Sequence, residues 1–326
     1  MRKLLTILLL LTSINVYRAD AADNQVPFSV EPILPANQNS DVSGYYDINL
    51  KPGAAQVLQA KLFNPTDRPI TIEVSANRAA TNNNGLIVYD GSEKVSDLGQ
   101  VATVQEKSIT LQAGETKVTD VKIKMPSDFK KGEILGGLYF LQRPEKNDDN
   151  QAMLTNNYAY AIAVRLHREN KQAVKPALSL DKVTPELINY RTGIDTKYVN
   201  AAPVTLTKMK FHAEVLKKNG TEALYTSDIE DFAIAPDAPF NVPLMFDNKP
   251  LEPGEYVYRS SFTKGKEKYE FEKAFTITAE QADKINGEAV ELDKSSNWWM
   301  YAIGILLLII AGLVYYVVRL NKKVKE

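Results

Sequence analysis

The chain has 326 residues, of which 44% are hydrophobic and 24% are charged, and this composition excludes an intrinsically disordered protein. The net charge of −1 includes +2 from residues 1–21 and +3 from residues 319–326, so the remainder carries −6, which argues against a nucleic-acid-binding surface. The absence of cysteine excludes disulfide bonds, so the domains must be stabilised by core burial.

The first 21 residues have the pattern of a secretory signal peptide. Two basic residues, Arg2 and Lys3, precede an apolar stretch from Leu4 to Val16 that is too short to span a bilayer comfortably. Ala19-Asp20-Ala21 then has the small-x-small form of a cleavage site. We therefore predict that residues 1–21 are removed and that the mature chain is exported.

Residues 27–142 have the pattern of short strands separated by turns. In the clearest strand the apolar side chains alternate with polar ones, as in a half-buried antiparallel strand; they are Ile70, Ile72, Val74 and Ala76. The pair Gly136-Gly137 inside a later strand indicates a bulge or a close approach of another chain segment. About seven such strands predict an immunoglobulin-like β-sandwich.

Residues 143–156 are polar and rich in turn formers, which predicts a linker. The run Asp148-Asp149-Asn150 raises the alternative of a calcium site. That alternative is disfavoured because a calcium loop needs at least six oxygen ligands around the ion and the EF-hand spacing is missing.

Residues 157–280 predict a second β-sandwich. Its first strand would place four apolar side chains on one face, namely Tyr160, Ile162, Val164 and Leu166. The apolar phase shifts between Leu206 and Met209, which predicts a β-bulge, and Asn219-Gly220 predicts a hairpin turn. Ala279 to Ile285 could form a short helix, and residues 281–297 are predicted to form a polar stalk.

The stretch 298–318 carries no charge and is long enough to cross the ~30 Å apolar layer of a bilayer as a helix. A buried core helix is the weaker alternative, because core helices are rarely this long and uniformly apolar. Residues 319–326 then form a basic tail, predicted to be cytoplasmic. The predicted membrane-anchor residues are Trp298, Trp299, Tyr301, Tyr315, Tyr316, Arg319, Lys322 and Lys323.

The sequence contains no recognisable catalytic set. Its two histidines, His167 and His212, lie among charged residues, which favours surface positions over a catalytic base. Two histidines without cysteine give no zinc-binding spacing, and no phosphate-binding loop or nucleophile elbow is present. We therefore expect a non-enzymatic protein without a cofactor or metal.

Five residues are candidates for ligand binding. Tyr46 and Tyr89 could stack on sugars, and the amides of Asn82, Asn83 and Asn84 could donate and accept hydrogen bonds. The alternative, which is favoured for any one of them, is that tyrosine packs at strand positions and asparagine populates turns.

Several short motifs, in this order and spacing, resemble the WxL-interacting proteins of Gram-positive bacteria. In the first half these include Phe28-Ser29-Val30, Pro35-Ala36-Asn37-Gln38, residues 80–89 and residues 132–137. In the second half they include residues 158–166, Asn200-Ala201-Ala202-Pro203, residues 252–256 and Phe275-Thr276-Ile277. The resemblance implies a first domain that binds peptidoglycan, a second that binds host extracellular-matrix components, and association with a WxL-domain surface protein.

These observations together predict an all-β protein with two tandem immunoglobulin-like sandwiches and one C-terminal transmembrane helix. The predicted function is a non-enzymatic adaptor in the plasma membrane, with its sandwiches in the cell wall and its C-terminus in the cytoplasm. Its expected partners are a WxL-domain protein, peptidoglycan and host matrix protein, but not nucleic acid. A membrane-anchored assembly factor for surface proteins is the alternative, and a wall hydrolase is a weaker one.

Overall fold

The computed structural model describes residues 27–91, 97–143, 157–168, 173–290, 292, 303 and 305–314. The predicted signal peptide, the predicted linker after Arg143 and the predicted cytoplasmic tail lie outside these residues. The described part of the chain folds mainly into β-strands, which form two sandwiches in tandem.

The first sandwich packs a four-stranded sheet against a five-stranded sheet. The four-stranded sheet contains, in spatial order, β1 (Ser29–Ile33), β3 (Ala55–Phe63), β9 (Thr116–Lys124) and β7 (Ala102–Val104). The five-stranded sheet contains β2 (Tyr46–Leu50), β11 (Ala159–Arg168), β10 (Glu133–Gln142), β4 (Ile70–Arg78) and β8 (Ser108–Leu111). As the alternation in β4 predicts, Ile70, Ile72 and Val74 are buried in the core between the sheets.

Strand β11 corrects the predicted boundary between the domains. The sequence analysis places it at the start of the second sandwich, but β11 pairs antiparallel with β10 and parallel with β2 in the first. Its side chains Ile162, Val164 and Leu166 are buried in the first core. The division between the sandwiches therefore falls after Arg168 rather than at residue 157.

The second sandwich packs a three-stranded sheet against a four-stranded sheet around an aromatic core. The smaller sheet contains β12 (Leu178–Ile188), β13 (Arg191–Asn200) and β16 (Ala238–Met245). The larger contains β15 (Ala223–Ile234), β14 (Leu206–Lys217), β17 (Gly254–Lys264) and β18 (Glu267–Ile277). The ring of Tyr198 stacks on Phe240 and meets Phe262 edge to face, both at 5.3 Å between centroids, so the two sheets are held by ring packing.

Two local predictions for this sandwich are confirmed. The pairing of β14 with β15 shifts register between Leu206 and Met209, and Lys208 lies in the left-handed backbone region at φ 56°. This is the predicted bulge, which restores the apolar phase of β14. Asn219 and Gly220 lie in the loop that joins β14 to β15, as the hairpin signal indicates.

The predicted polar stalk is corrected at its beginning. Two short helices accompany the sandwiches, α1 (Asp97–Val101) and α2 (Ala279–Glu288). Helix α2 starts with a capping box at Thr278, buries Ala282 and is tied to the second sandwich by two hydrogen bonds between Asn286 and Leu251. Residues 281–288 are therefore part of the folded domain, and residues 293–297 lie outside the described chain.

The predicted fold class is also corrected at the C-terminus. In the part of the chain that the structure describes, no helix is both long and apolar enough to cross a membrane. Of the predicted span 298–318, only residues 303 and 305–314 are described, and they are helical. Outside the described residues lie Trp298, Trp299, Tyr301, Tyr315, Tyr316, Arg319, Lys322 and Lys323.

Candidate functional site at the junction of the sandwiches

A hairpin of the first sandwich packs against the second. It consists of β5 (Ala80–Thr81) and β6 (Ile87–Val88). The backbone N–H of Ala235 donates to the Thr81 hydroxyl at 2.8 Å, and the N–H of Ala233 donates to the Gly85 carbonyl at 2.7 Å. Apolar residues from both sandwiches close this contact; Ala79, Leu135, Ala235 and Ala238 are all buried. The sandwiches are therefore joined by an apolar, hydrogen-bonded contact in addition to the chain itself.

Gly85 is required at the tip of this hairpin for two reasons. Its φ of +73° lies in the region that glycine tolerates best. A Cβ atom at this position would also stand 2.4 Å from Cδ2 of the Phe232 ring, which is itself fully buried. The side chain of any other residue would therefore push the hairpin away from the second sandwich.

Gly85→Ala is expected to lower the free energy of unfolding by about 2–5 kcal/mol. Left-handed strain contributes roughly 1–2 kcal/mol and overpacking against Phe232 roughly 1–3 kcal/mol. The matched control is Gly114→Ala, because Gly114 has φ +69° but no atom within 4 Å of the added Cβ, so only the strain applies. Urea denaturation of both variants measures the difference. Equal losses would show that the contact with Phe232 contributes nothing.

A buried acid, Glu133, connects the two sandwiches a short distance away. Its Oε2 accepts from Nε of Arg165 at 2.5 Å, and its Oε1 accepts from the backbone N–H of Thr205 at 2.7 Å. Its own backbone N–H donates to the Pro203 carbonyl at 2.9 Å. Thr205 and Pro203 belong to the second sandwich, so two of these three bonds cross the junction, while the bond to Arg165 lies within the first sandwich. We call Glu133 and Arg165 the clasp.

Two further groups surround the clasp. Nε2 of His167 lies 3.1 Å from Oδ1 of Asp47, and a terminal nitrogen of Arg165 lies 3.8 Å from Oδ2 of the same carboxylate. Burial alone would raise the pKa of Glu133, but hydrogen bonds from Arg165 and Thr205 outweigh it, so the pKa lies below its ordinary value. The carboxylate of Glu133 is therefore held ionised in the interior.

This cluster was not predictable from the sequence pattern, and the predicted position of one of its members was wrong. His167 was predicted at the surface but is buried, whereas His212 is exposed as predicted and lies 2.7 Å from Asp228. The signal for the cluster in the sequence was the position of Asp47, which lies between Tyr46 and Ile48, two residues that are both buried. An acid in such an apolar run requires a partner, although the sequence does not identify it.

The two predicted tyrosine ligands differ in their exposure. Tyr46 is fully buried, and its hydroxyl donates to the Gln59 carbonyl at 2.6 Å, so its ring offers no face for stacking. Tyr89 is half-buried against Gly137, and burial raises its pKa to about 12. Both rings pack at structural positions.

The three predicted asparagines lie on the hairpin tip. Asn82 shapes the turn, since its Oδ1 accepts from the backbone N–H groups of Asn84 and Leu86. Asn82 and Asn83 line a crevice of 490 Å³ that the second sandwich completes with Lys197 and Asn241, while Asn84 is exposed outside it. The structure thus gathers two of the five predicted ligand residues at the junction.

A larger groove of 1020 Å³ opens on the Glu133 side of the junction. Eleven of its lining residues come from the first sandwich and two, Pro203 and Asp237, from the second. We call it the basic groove because lysines 124, 130 and 131 surround it. Its lip is the loop between β9 and β10, and Gly132 at the end of this loop allows close contact, since a Cβ there would lie 2.3 Å from the Pro203 carbonyl.

The described residues contain no group of three or more His, Cys, Asp or Glu that could hold a metal ion. The aspartates of the predicted linker, which raised the calcium alternative, lie outside the described chain.

Comparison with protein families identifies both halves of the chain. The peptidoglycan binding domain of WxL Interacting Protein matches residues 28–142, and the host binding domain of WxL Interacting Protein matches residues 149–287. The chain belongs to the WxL-interacting protein family. In this WxL-interacting protein, strand β11 lies within the host-binding match but completes the sandwich of the peptidoglycan-binding domain. Both domains are binding domains of a cell-surface protein.

Solved structures give only distant similarities, and no curated protein matches the chain. A chaperone–tip adhesin complex of CFA/I fimbriae has 14% identity and a TM-score of 0.32, covering 77% of this chain and 98% of that one. The YadV chaperone has 9% identity and a TM-score of 0.32, with 77% and 100% covered. The CsuC–CsuE complex of Acinetobacter baumannii has 11% identity and a TM-score of 0.33, with 76% and 98% covered. TM-scores of this size do not establish a shared arrangement.

Proposed function

We propose that the protein is a non-enzymatic adaptor that is exported to the cell wall and holds a WxL-domain protein against peptidoglycan. In this proposal the first domain binds peptidoglycan, and the second binds the WxL-domain protein or a host matrix protein. The observation that carries it is the pairing of the two family matches on one chain, 28–142 and 149–287. An adaptor needs two binding modules whose ligands differ in kind, and these two matches supply them.

The junction supports an adaptor rather than two independent modules. Domains joined only by a linker are expected to move relative to each other. Here the hairpin tip and the clasp add hydrogen bonds across the junction, at Thr81, Gly85 and Glu133. A force applied to the second domain would therefore be transmitted to the first through these hydrogen bonds as well as through the linker.

The chemistry of the buried acids supports a role in structure rather than in hydrolysis. A glycoside hydrolase needs two carboxyl groups that face a substrate cleft. Asp47 and Glu133 are instead buried beside Arg165 and His167, and both oxygens of Glu133 accept hydrogen bonds from the protein. Release of labelled fragments from peptidoglycan by the purified protein would contradict the non-enzymatic proposal.

Co-sedimentation tests the adaptor directly. Purified peptidoglycan sacculi are mixed with a WxL-domain protein, with and without the full chain, and then pelleted. We expect the WxL-domain protein to sediment with the sacculi in proportion to the chain added. If the chain sediments with the sacculi while the WxL-domain protein stays in the supernatant, the adaptor role is contradicted. A partner that stays on the sacculi after the chain has been washed away would favour the assembly factor.

A further inference from the structure

The basic groove has an excess of positive charge at its rim. Lys124, Lys130 and Lys131 are exposed, and in the described part of the chain no carboxylate forms an ion pair with any of them. The rim also carries two carboxylates, Asp128 and Asp237. The groove therefore presents ammonium groups chiefly, with carboxylates among them.

The floor of the groove is apolar and well supported. Met125 is fully buried, and Phe129 is half-buried where it packs against the core of the first sandwich. Pro203 of the second sandwich forms the opposite wall and is fixed there by the N–H of Glu133. A concavity with apolar side chains at its floor and charged groups at its rim has the features of a ligand site, and its volume lies just above the usual range of about 300–1,000 Å³.

We infer that the basic groove binds the peptide part of peptidoglycan, with peptide carboxylates on the lysines and the amine of the diamino acid on Asp128. This inference rests on the proposed function, since the peptidoglycan-binding match includes eleven of the lining residues. The alanine methyl groups of such a peptide would lie on Phe129 and Pro126. The ligand is thus a short zwitterionic peptide, rich in carboxylates and small apolar groups.

The groove favours the peptide over the other polymers of a cell wall. The neutral sugars of the glycan strand would gain little from ammonium groups, and the groove offers a single half-buried aromatic ring for stacking. A polyphosphate such as poly(glycerol phosphate) would bring further negative charge close to Asp128. The peptide alone carries both signs of charge and the apolar groups that the floor can cover.

Charge reversal at the lip tests the inference with the full chain. The probe is a synthetic alanine–glutamate–lysine–alanine peptide with a fluorophore at its N-terminus, and fluorescence polarisation measures its dissociation constant. We expect the double variant K130E/K131E to bind about tenfold more weakly or worse, because two attractive contacts become repulsive. The control is K122E, which makes one such charge reversal on the outer face of β9, outside the groove; we expect its affinity to stay within about twofold.

A second arm changes the ligand instead of the protein. Amidation of both peptide carboxyl groups should weaken binding to the unaltered chain by a similar factor. The same amidation should not weaken the binding of K130E/K131E and should strengthen it, because amidation removes the repulsion between the peptide carboxylates and the two introduced glutamates. Both variants alter exposed side chains, so we expect them to fold, and circular dichroism checks this.

The outcomes separate this inference from the adaptor proposal. Binding of the peptide by K130E/K131E within twofold of the unaltered chain would overturn the inference, as would full displacement of the peptide by poly(glycerol phosphate). Sacculi that bind the chain equally well before and after enzymatic removal of their peptides would also overturn it, but would leave peptidoglycan binding in place. A chain that binds no intact sacculi would overturn both.

Discussion

A fragment that stops at residue 148 will not fold, whereas a fragment that continues to residue 170 will fold as a complete sandwich. The shorter fragment contains the whole peptidoglycan-binding match but lacks β11. It loses three buried apolar side chains, Ile162, Val164 and Leu166, which lie on an interior strand of the five-stranded sheet, between β2 and β10. Removal of each costs roughly 2–5 kcal/mol, and together they approach or exceed the total stability of a typical domain, about 5–15 kcal/mol.

Loss of β11 also exposes the edges of the two strands with which it pairs, β10 and β2. β10 loses the partners of nine residues and β2 those of five, so both strands would present unpaired backbone groups. Proton–nitrogen NMR spectra and urea denaturation of fragments 28–148 and 28–170 measure the outcome. A dispersed spectrum and cooperative unfolding of the shorter fragment would contradict the prediction.

A matched pair of substitutions makes the same test in the full chain. Val164→Asp places a charge in the core, where it has no partner, and should abolish cooperative unfolding of the first sandwich. Ala161→Asp places the same charge on the exposed face of β11, and it should cost less than about 1 kcal/mol.

Glu133→Ala is expected to lower the free energy of unfolding by about 3–5 kcal/mol at pH 7. The substitution leaves the partly buried Arg165 without its 2.5 Å partner and removes the acceptor for the Thr205 N–H. The matched control is Glu106→Ala, because Glu106 also pairs with a cation, Lys117, at 2.7 Å but is exposed. That pair should contribute less than about 1 kcal/mol. Urea denaturation of both variants checks the difference, and similar losses would show that the clasp adds no stability.

The same carboxylate gives the stability a defined dependence on pH. Because folding lowers the pKa of Glu133, the folded state is more stable when this carboxyl group is ionised than when it is protonated. The stability from this group is fully present above its ordinary pKa of 4.5 and is lost as the pH falls below that value toward the folded-state pKa. Glu133→Gln removes the titrating group. Between about pH 5 and pH 3, the range over which carboxylates titrate, the free energy of unfolding of this variant should therefore decline less than that of the unaltered chain. Parallel pH profiles for the variant and the unaltered chain would contradict this.

The local structure was largely predictable because it depends on neighbours in sequence. The alternation in β4, the bulge after Leu206, the Asn219-Gly220 hairpin and the start of α2 all follow from backbone preferences and from side-chain periodicity. The Gly136-Gly137 pair was likewise identified as a point of close approach. A Cβ at Gly136 would lie 2.2 Å from Leu98, and one at Gly137 would lie 2.6 Å from Tyr89.

The candidate site was less predictable because its parts are distant in sequence. The polar pattern identified the asparagines of residues 82–84, and two of them line a crevice, but the second sandwich supplies the rest of that crevice. The basic groove likewise joins a loop at residues 124–131 to Pro203 and Asp237. No short-range signal connects these segments, and lysines in a loop look the same whether or not a groove lies beside them.

By itself, the sequence determined that this protein is built from two β-sandwiches. Strand periodicity is local, and the alternation of apolar and polar residues shows which face of each strand is buried. It also carried the motifs of the WxL-interacting family. Only the tertiary structure decided which sheet each strand joins. The apolar face of β11 fits a core in either sandwich by pattern, and pairing with β10 and β2 places it in the first. The same long-range packing buries His167 and Glu133 together, because a charged side chain can enter the interior only where a distant partner compensates it.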